Sequence, residues 1–157
     1  MPVQQAIAFA TGKLPLEASP IKPDWVLEGN PMARNKLIAG SADGTASTLM
    51  WDCTAGRFNW YYDIDETICV VEGSVTVRDH AGSTRTLSAG DTAFFPAGSS
   101  AEWKVERYVR KIAFMRNPLP RSLLLVKRAL GLAKRLLGRR SSEGRMSSMS
   151  AGMFPTA

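Results

Sequence analysis

The chain has 157 residues, 45% hydrophobic and 22% charged, with a formal net charge of +6. That length gives one domain with a core of its own plus some extra, and no run nears the roughly 18 apolar residues of a membrane-spanning helix. Two cysteines beside a single histidine exclude a disulfide framework and a Cys/His zinc site, so Cys53 and Cys69 are expected as buried free thiols of a cytoplasmic protein.

The opening MPVQQAIAFATGKLP has no basic n-region and only a short apolar patch, so a secretory leader is not expected. Residues 1–23 contain Pro15, Pro20 and Pro23 and little periodicity, which predicts an arm laid across another surface. From Trp25 onward the texture changes to short alternating or β-branched runs. ASTLMWDC (46–53), TICVV (67–71), SVTVR (74–78), TRTLS (84–88), TAFF (92–95), AEWKV (101–105) and YVRKIAFM (108–115) all read as strands. The breakers between them, EGS, DHAGS, AGD and PAGSS, are turn formers. Gly73 and Gly90 fall where one strand is expected to turn into the next, and DHAG (79–82) reads as a hairpin tip carrying an exposed, functionless His80. Many short strands with no helix among them predict an antiparallel all-β sandwich or barrel. Alternation assigns faces: Ala101, Trp103 and Val105 share one side, as do Val75 and Val77, so one side of the sheet is dry.

After NPLP (117–120) the period becomes helical. In RSLLLVKRALGLAKRLLGRR, Leu125, Val126, Ala129, Leu130, Leu132, Ala133, Leu136 and Leu137 form an apolar arc opposite Arg121, Lys127, Arg128, Lys134 and Arg135. Residues 1–106 carry 8 Lys/Arg against 13 Asp/Glu, whereas residues 107–142 carry 11 Lys/Arg and no acid. The basicity therefore belongs to one C-terminal segment. Three roles are open to it: packing its leucine face on protein, lying on an anionic membrane surface, or binding nucleic acid. The last is disfavoured because the segment has no aromatic residue to stack on bases. The polar stretch 141–157 is expected to be a disordered tail.

Two spaced blocks go further. Glu66 is followed by six residues and Gly73; Gly90 is followed by five residues, Pro96, one residue and Gly98. These resemble the signature motifs of the cupin superfamily, G-x5-H-x-H-x3/4-E-x6-G and G-x5-P-x-G-x2-H-x3-N. The fuller set is Trp51 through Phe58, Asp65-Glu66, Glu72-Gly73, AGD (89–91), FPAG (95–98), Trp103 and VRK (109–111). It is similar to the branch containing the (S)-ureidoglycine aminohydrolase cupin domain and the ethanolamine-utilisation cupins. The resemblance covers residues 24–116. It implies a single RmlC-like jelly-roll barrel (a double-stranded β-helix) between the arm at 1–23 and the basic amphipathic helix at 117–140, and it implies a homodimer.

The resemblance also implies where a metal would sit, and there the residues depart from the pattern. With the x3 spacing the two histidine slots fall on Trp60 and Tyr62; with x4 they fall on Asn59 and Tyr61. The leading glycine is displaced to Gly56, where the spacing asks for Thr54, and the second-block histidine slot is Ala101. Glu66 alone remains of four ligands, whereas a transition metal wants three or more. Parity turns Asp63 and Asp65 away from Glu66. No metal cofactor is expected.

What is left is a barrel lined by Trp60, Tyr62, Glu66 and Trp103, with Ala101 giving room. This set suits a small polar or cationic metabolite, with aromatic faces for packing and Glu66 for a charge-assisted hydrogen bond. The alternative is a barrel filled by Trp60 and Tyr62, with Glu66 bonded to a tyrosine hydroxyl or to the arginine of VRK. An enzyme acting on ureides or other nitrogen-rich metabolites, with Glu66 as the candidate catalytic acid or base, is a further reading, as is a membrane-surface module using residues 121–140.

Overall fold

Alternating apolar residues punctuated by turn formers produce strands almost everywhere in the computed structural model, which describes residues 7–118. Eight strands follow in chain order: β1 Glu17–Ala18, β2 Val26–Gly29, β3 Ala33–Gly40, β4 Ala46–Tyr61, β5 Asp65–Asp79, β6 Thr84–Ser88, β7 Thr92–Phe95 and β8 Ser100–Arg116. One 3₁₀ turn, Pro23–Trp25, precedes β2. The all-β expectation holds for these residues. The predicted basic helix beyond Pro118 and the tail at 141–157 lie outside them.

All pairings are antiparallel. Three strands are long, and each serves two half-sheets. One half-sheet runs β1-β3-β4-β8-β5-β7, through the first part of β4 and β5 and the last part of β8. The other runs β2-β4-β8-β5-β6, through the opposite ends of the same three strands. Register shifts between Thr54 and Gly56 in β4, and between Val70 and Thr76 in β5, mark where the long strands bend. The result is a β-barrel of the jelly-roll kind, its core lying between the half-sheets.

These bends correct the strand list. The runs 67–71 and 74–78 are one strand, as are 101–105 and 108–115, and β4 continues to Tyr61. Gly73 therefore lies in a bulge inside β5 and not at a turn between strands. Its φ of +70° is left-handed, and a Cβ there would stand 2.1 Å from the Tyr108 carbonyl oxygen, so only glycine fits. Gly56 lies at the β4 shift, where a Cβ would meet the Pro31 ring at 2.7 Å. The displaced glycine thus marks the bulge of this particular strand. β2 and β3, which no run singled out, both pair with β4, one on each half-sheet.

Alternation otherwise places the core as expected. Ala101, Trp103, Val105, Val75 and Val77 are all buried. His80 is exposed at the β5–β6 hairpin tip, where the Asp79 carboxylate accepts the Ala81 and Ser83 amides at 2.9 Å. Cys53 is fully buried, but Cys69 is only half-buried, because alternation along β5 turns it to the outer face between inward-facing Ile68 and Val70. Within the N-terminal segment, β1 pairs with β3, Ile21 enters the core and the Arg110 guanidinium donates to the Leu14 carbonyl at 3.3 Å.

Candidate functional site

The inner face of each strand follows from its period of two. Cross-strand pairs put Phe58 opposite Trp103, Trp60 opposite Ala101, and Val77 on the other side of Trp103. Tyr62, just past β4, is buried as well, whereas Asn59 is half-buried and Tyr61 is 49% exposed. The x3 spacing is therefore the one the fold adopts, and Trp60 and Tyr62 occupy the inward positions.

The second block anchors the first. The Pro96–Ser99 turn brings the Gly98 amide to the Tyr62 carbonyl at 2.6 Å and the Ser99 carbonyl to the Tyr62 amide at 3.0 Å. Asp65 accepts the Ala97 amide at 3.0 Å and the Arg116 guanidinium at 2.6 Å. These bonds hold its carboxyl below the usual aspartate range, the Ala97 amide contributing most. Asp65 is thereby committed to the turn, and Asp63 is exposed, as their parity relative to Glu66 required.

Glu66 has a partner that neither sequence alternative named. The Lys111 ammonium donates to Glu66 Oε1 at 2.5 Å, with both side chains buried. The arginine of VRK points the other way, and the Tyr62 hydroxyl accepts instead from the Trp103 indole N–H at 3.0 Å. The sequence held the missed signal: in YVRKIAFM, Lys111 alternates in phase with Val109 and Ala113, both fully buried. A lysine on the dry face of a strand requires an internal partner.

Rings enclose this pair. Lys111 Nζ lies 4.9 Å from the Trp51 ring centroid and 4.6 Å from that of Trp103, on tryptophans contributed by the two facing half-sheets. Tyr62 stacks on Phe95 at 4.5 Å with an interplanar angle of 7°, and Trp103 stacks on Phe58. Burial drives the Lys111 pKa below the ordinary lysine value, and Glu66 opposes that shift. Burial also pushes the Tyr62 hydroxyl far above the ordinary tyrosine value, with the Glu66 charge adding to it, so Tyr62 is a neutral hydrogen-bonding group.

Of the four residues proposed from sequence, Glu66 and Trp103 meet the Lys111 ammonium, and Tyr62 joins them through its hydroxyl, which accepts from the Trp103 indole. Trp60 is half-buried and joins through Trp51 and Phe58, at 6.0 and 6.2 Å between ring centroids, while its other side meets Trp25. The barrel centre is thus filled with rings, and the opening lies to one side. A cleft of about 630 Å³ is bounded by β6, β7 and the start of β8, and its floor includes Val77, Phe95 and Ala101. Ala101 is the slot where the superfamily motif places a histidine.

The residues do not fit the metal that the superfamily motif implies. The positions corresponding to three of its ligands carry indole, phenol and methyl groups, and the remaining carboxylate holds an ammonium. Among the described residues no three His, Cys, Asp or Glu side chains come together as a metal cluster.

The family model described as an EutQ-like cupin domain matches residues 40–113. Acetate kinase EutQ of Salmonella typhimurium is 40% identical over 65 residues, which cover 41% of this chain and 27% of that protein. The chain spans little more than about a quarter of the length of the curated relatives it matches. Among solved structures, a protein of unknown function of the DUF861 family from Pseudomonas syringae pv. tomato has a TM-score of 0.61 at 27% identity, covering 66% of this chain and 45% of that one. EutQ of Clostridium difficile has a TM-score of 0.50 at 21% identity, covering 55% and 69%, and bears on the fold alone. Motifs, barrel and relatives agree, and the chain is a member of the cupin superfamily. Within the superfamily it belongs to the EutQ-like branch.

Proposed function

We propose that this protein is a metal-independent cupin that binds a small polar metabolite in the cleft beside β6 and β7. One observation carries the reading: the cleft floor is built from Ala101, at the vacated ligand slot, and from Phe95, which stacks directly on Tyr62. A ligand there contacts the aromatic core through a single layer of side chains, and small Ala101 leaves the room a histidine would take. The cationic ligand envisaged for Glu66 is replaced by the chain's own cation. Lys111 already supplies the charge and the ring contacts that such a ligand would make, so the metabolite is expected in the cleft and not at Glu66.

A second reading, an enzyme of the ureidoglycine-aminohydrolase type or another acting on nitrogen-rich metabolites, is favoured by the same pair. Lys111 and Glu66 form an internal acid–base couple with a short hydrogen bond. The binding reading is preferred because both groups are buried and neither lines the cleft.

The test is a metabolite screen by saturation-transfer NMR, repeated with Ala93→Leu, which narrows the cleft wall. Ligands should bind the parent protein and lose binding in the variant, with amide spectra reporting an intact fold. Equal binding by both proteins would place the ligand elsewhere. Elemental analysis is expected to find far less than one transition metal per chain, and about one per chain, lost in Glu66→Gln, would overturn the metal-independent assignment.

A further inference from the structure

The cleft contains one charge that the fold does not use. In the β5–β6 ladder Val77 stands opposite Arg85, and Val75 opposite Leu87. Directly opposed residues of an antiparallel pair share a face, and Val75 and Val77 are buried in the core. Arg85 therefore projects from the concave face of β6, in one row with Val77 and Trp103, and it lines the cleft. Among the described residues no carboxylate pairs with it. Arg34, Arg57 and Arg116 each hold an acid; Arg78, Arg107 and Arg110 do not, but none of those three lines the cleft.

The two carboxylates that also line the cleft are committed to turns. Asp79 Oδ1 accepts the amides of Ala81 and Ser83, and Asp91 Oδ2 accepts the Ser88 amide at 2.8 Å. Opposite Arg85 the floor is apolar: Val77, Phe95 and Ala101. A guanidinium is planar, permanently charged and spaced to grip two oxygens at once. An unpaired one facing an apolar floor selects a ligand with a carboxylate at one end and a short carbon body at the other.

We infer that the cleft receives a small aliphatic carboxylate, its carboxylate clasped by Arg85 and its carbon chain lying on Val77, Phe95 and Ala101. The inference rests on the cleft proposed above and names the chemical class that it takes. It predicts preference for the anion over an equally long amine or alcohol.

The experiment is an amide NMR titration of the full chain with butyrate, butylammonium and 1-butanol, run on the parent protein, Arg85→Gln and Arg107→Gln. Arg107 is exposed and lies outside the cleft, so its variant controls for loss of a general positive charge. Butyrate should give saturable shifts at Val77, Arg85, Phe95 and Ala101 in the parent and in Arg107→Gln. Its affinity should fall at least about tenfold in Arg85→Gln, the scale of one charge-assisted contact. If butanol or butylammonium binds the cleft as well as butyrate does, or if Arg85→Gln leaves butyrate binding unchanged, the carboxylate inference fails while the cleft stands. If none of the three probes perturbs cleft residues, both fail.

Discussion

Replacing Lys111 by methionine keeps the length and the ring contacts of the side chain and removes its charge. Glu66 is then a carboxylate at 6% exposure with its donor gone. Breaking a buried ion pair from one side costs about 3–5 kcal/mol. Protonation sets a ceiling, because neutralising an ordinary glutamate at pH 7 costs about 1.36 kcal/mol for each of the roughly 2.7 units above 4.3, or about 3.7 kcal/mol. The expected loss is therefore about 3–3.7 kcal/mol, a large share of the roughly 5–15 kcal/mol that holds a domain folded. In the variant the folded state takes up a proton more readily than the unfolded chain, so its stability relative to the parent falls as pH rises from 5 to 7 and recovers on acidification. Replacing both partners, Glu66→Leu with Lys111→Met, should return stability to within about 1 kcal/mol of the parent or above it. Urea unfolding followed by tryptophan fluorescence measures all three, since Trp51 and Trp103 flank the ammonium. A loss below about 1 kcal/mol for Lys111→Met at pH 7, or a loss that does not change between pH 5 and 7, would refute the view of this pair as a desolvated charge couple.

Gly73→Ala should destabilise by about 3 kcal/mol or more, the ~1–3 kcal/mol of a left-handed non-glycine residue being added to the contact with the Tyr108 carbonyl oxygen; an equal unfolding midpoint would show that β5 can straighten there. Burial pushes the Cys53 thiol up to about 12, so a thiol reagent at pH 8 should modify Cys69 first and Cys53 only on unfolding. Simultaneous modification in the folded protein would contradict that burial. Asp43 accepts the Ser41 hydroxyl at 2.6 Å and both the amide and the hydroxyl of Thr45, which lowers its pKa from 3.8 to about 2. The turn it organises is expected to be fully stabilised above pH 3.8 and to lose that contribution as pH falls toward 2; a carboxyl NMR titration with its midpoint at 3.8 would remove the role assigned to Asp43.

Period-two alternation made much of the barrel legible in the sequence. β6 and β7 coincide with TRTLS and TAFF residue for residue, and the inward set Ala101, Trp103 and Val105 follows from the same pattern. The lengths of β5 and β8 did not follow, because glycine in a bulge and glycine in a turn are spelled alike; only the neighbouring strand, here the Tyr108 carbonyl, tells them apart. Spacing located Glu66 and the inward slots at Trp60 and Tyr62. The content of the site was hidden for a different reason. Lys111 lies 45 residues beyond Glu66 and reaches it from the neighbouring strand, where it stands opposite Val70, and no local pattern encodes such a pairing. The phase of YVRKIAFM did mark Lys111 as internal and Arg110 as external, so half of the Glu66–Lys111 pair was written in one strand.

β8 lies at the centre of the structure, hydrogen-bonded along nearly its whole length to β4 on one side and β5 on the other. It is also the last strand in chain order among those described. During synthesis from the N-terminus, β4 and β5 leave the ribosome with one long edge each awaiting a partner that has not yet been made. Of the long-strand ladders, only the β5–β6 hairpin and the β5–β7, β3–β4 and β2–β4 pairings can form before residue 100, and both Lys111 and the Ala101 floor arrive with the last of the described strands. The nascent barrel is therefore most vulnerable to strand exchange with another copy just before β8 is added. A truncation anywhere upstream of β8 should yield a sticky, unfolded product and not a smaller barrel.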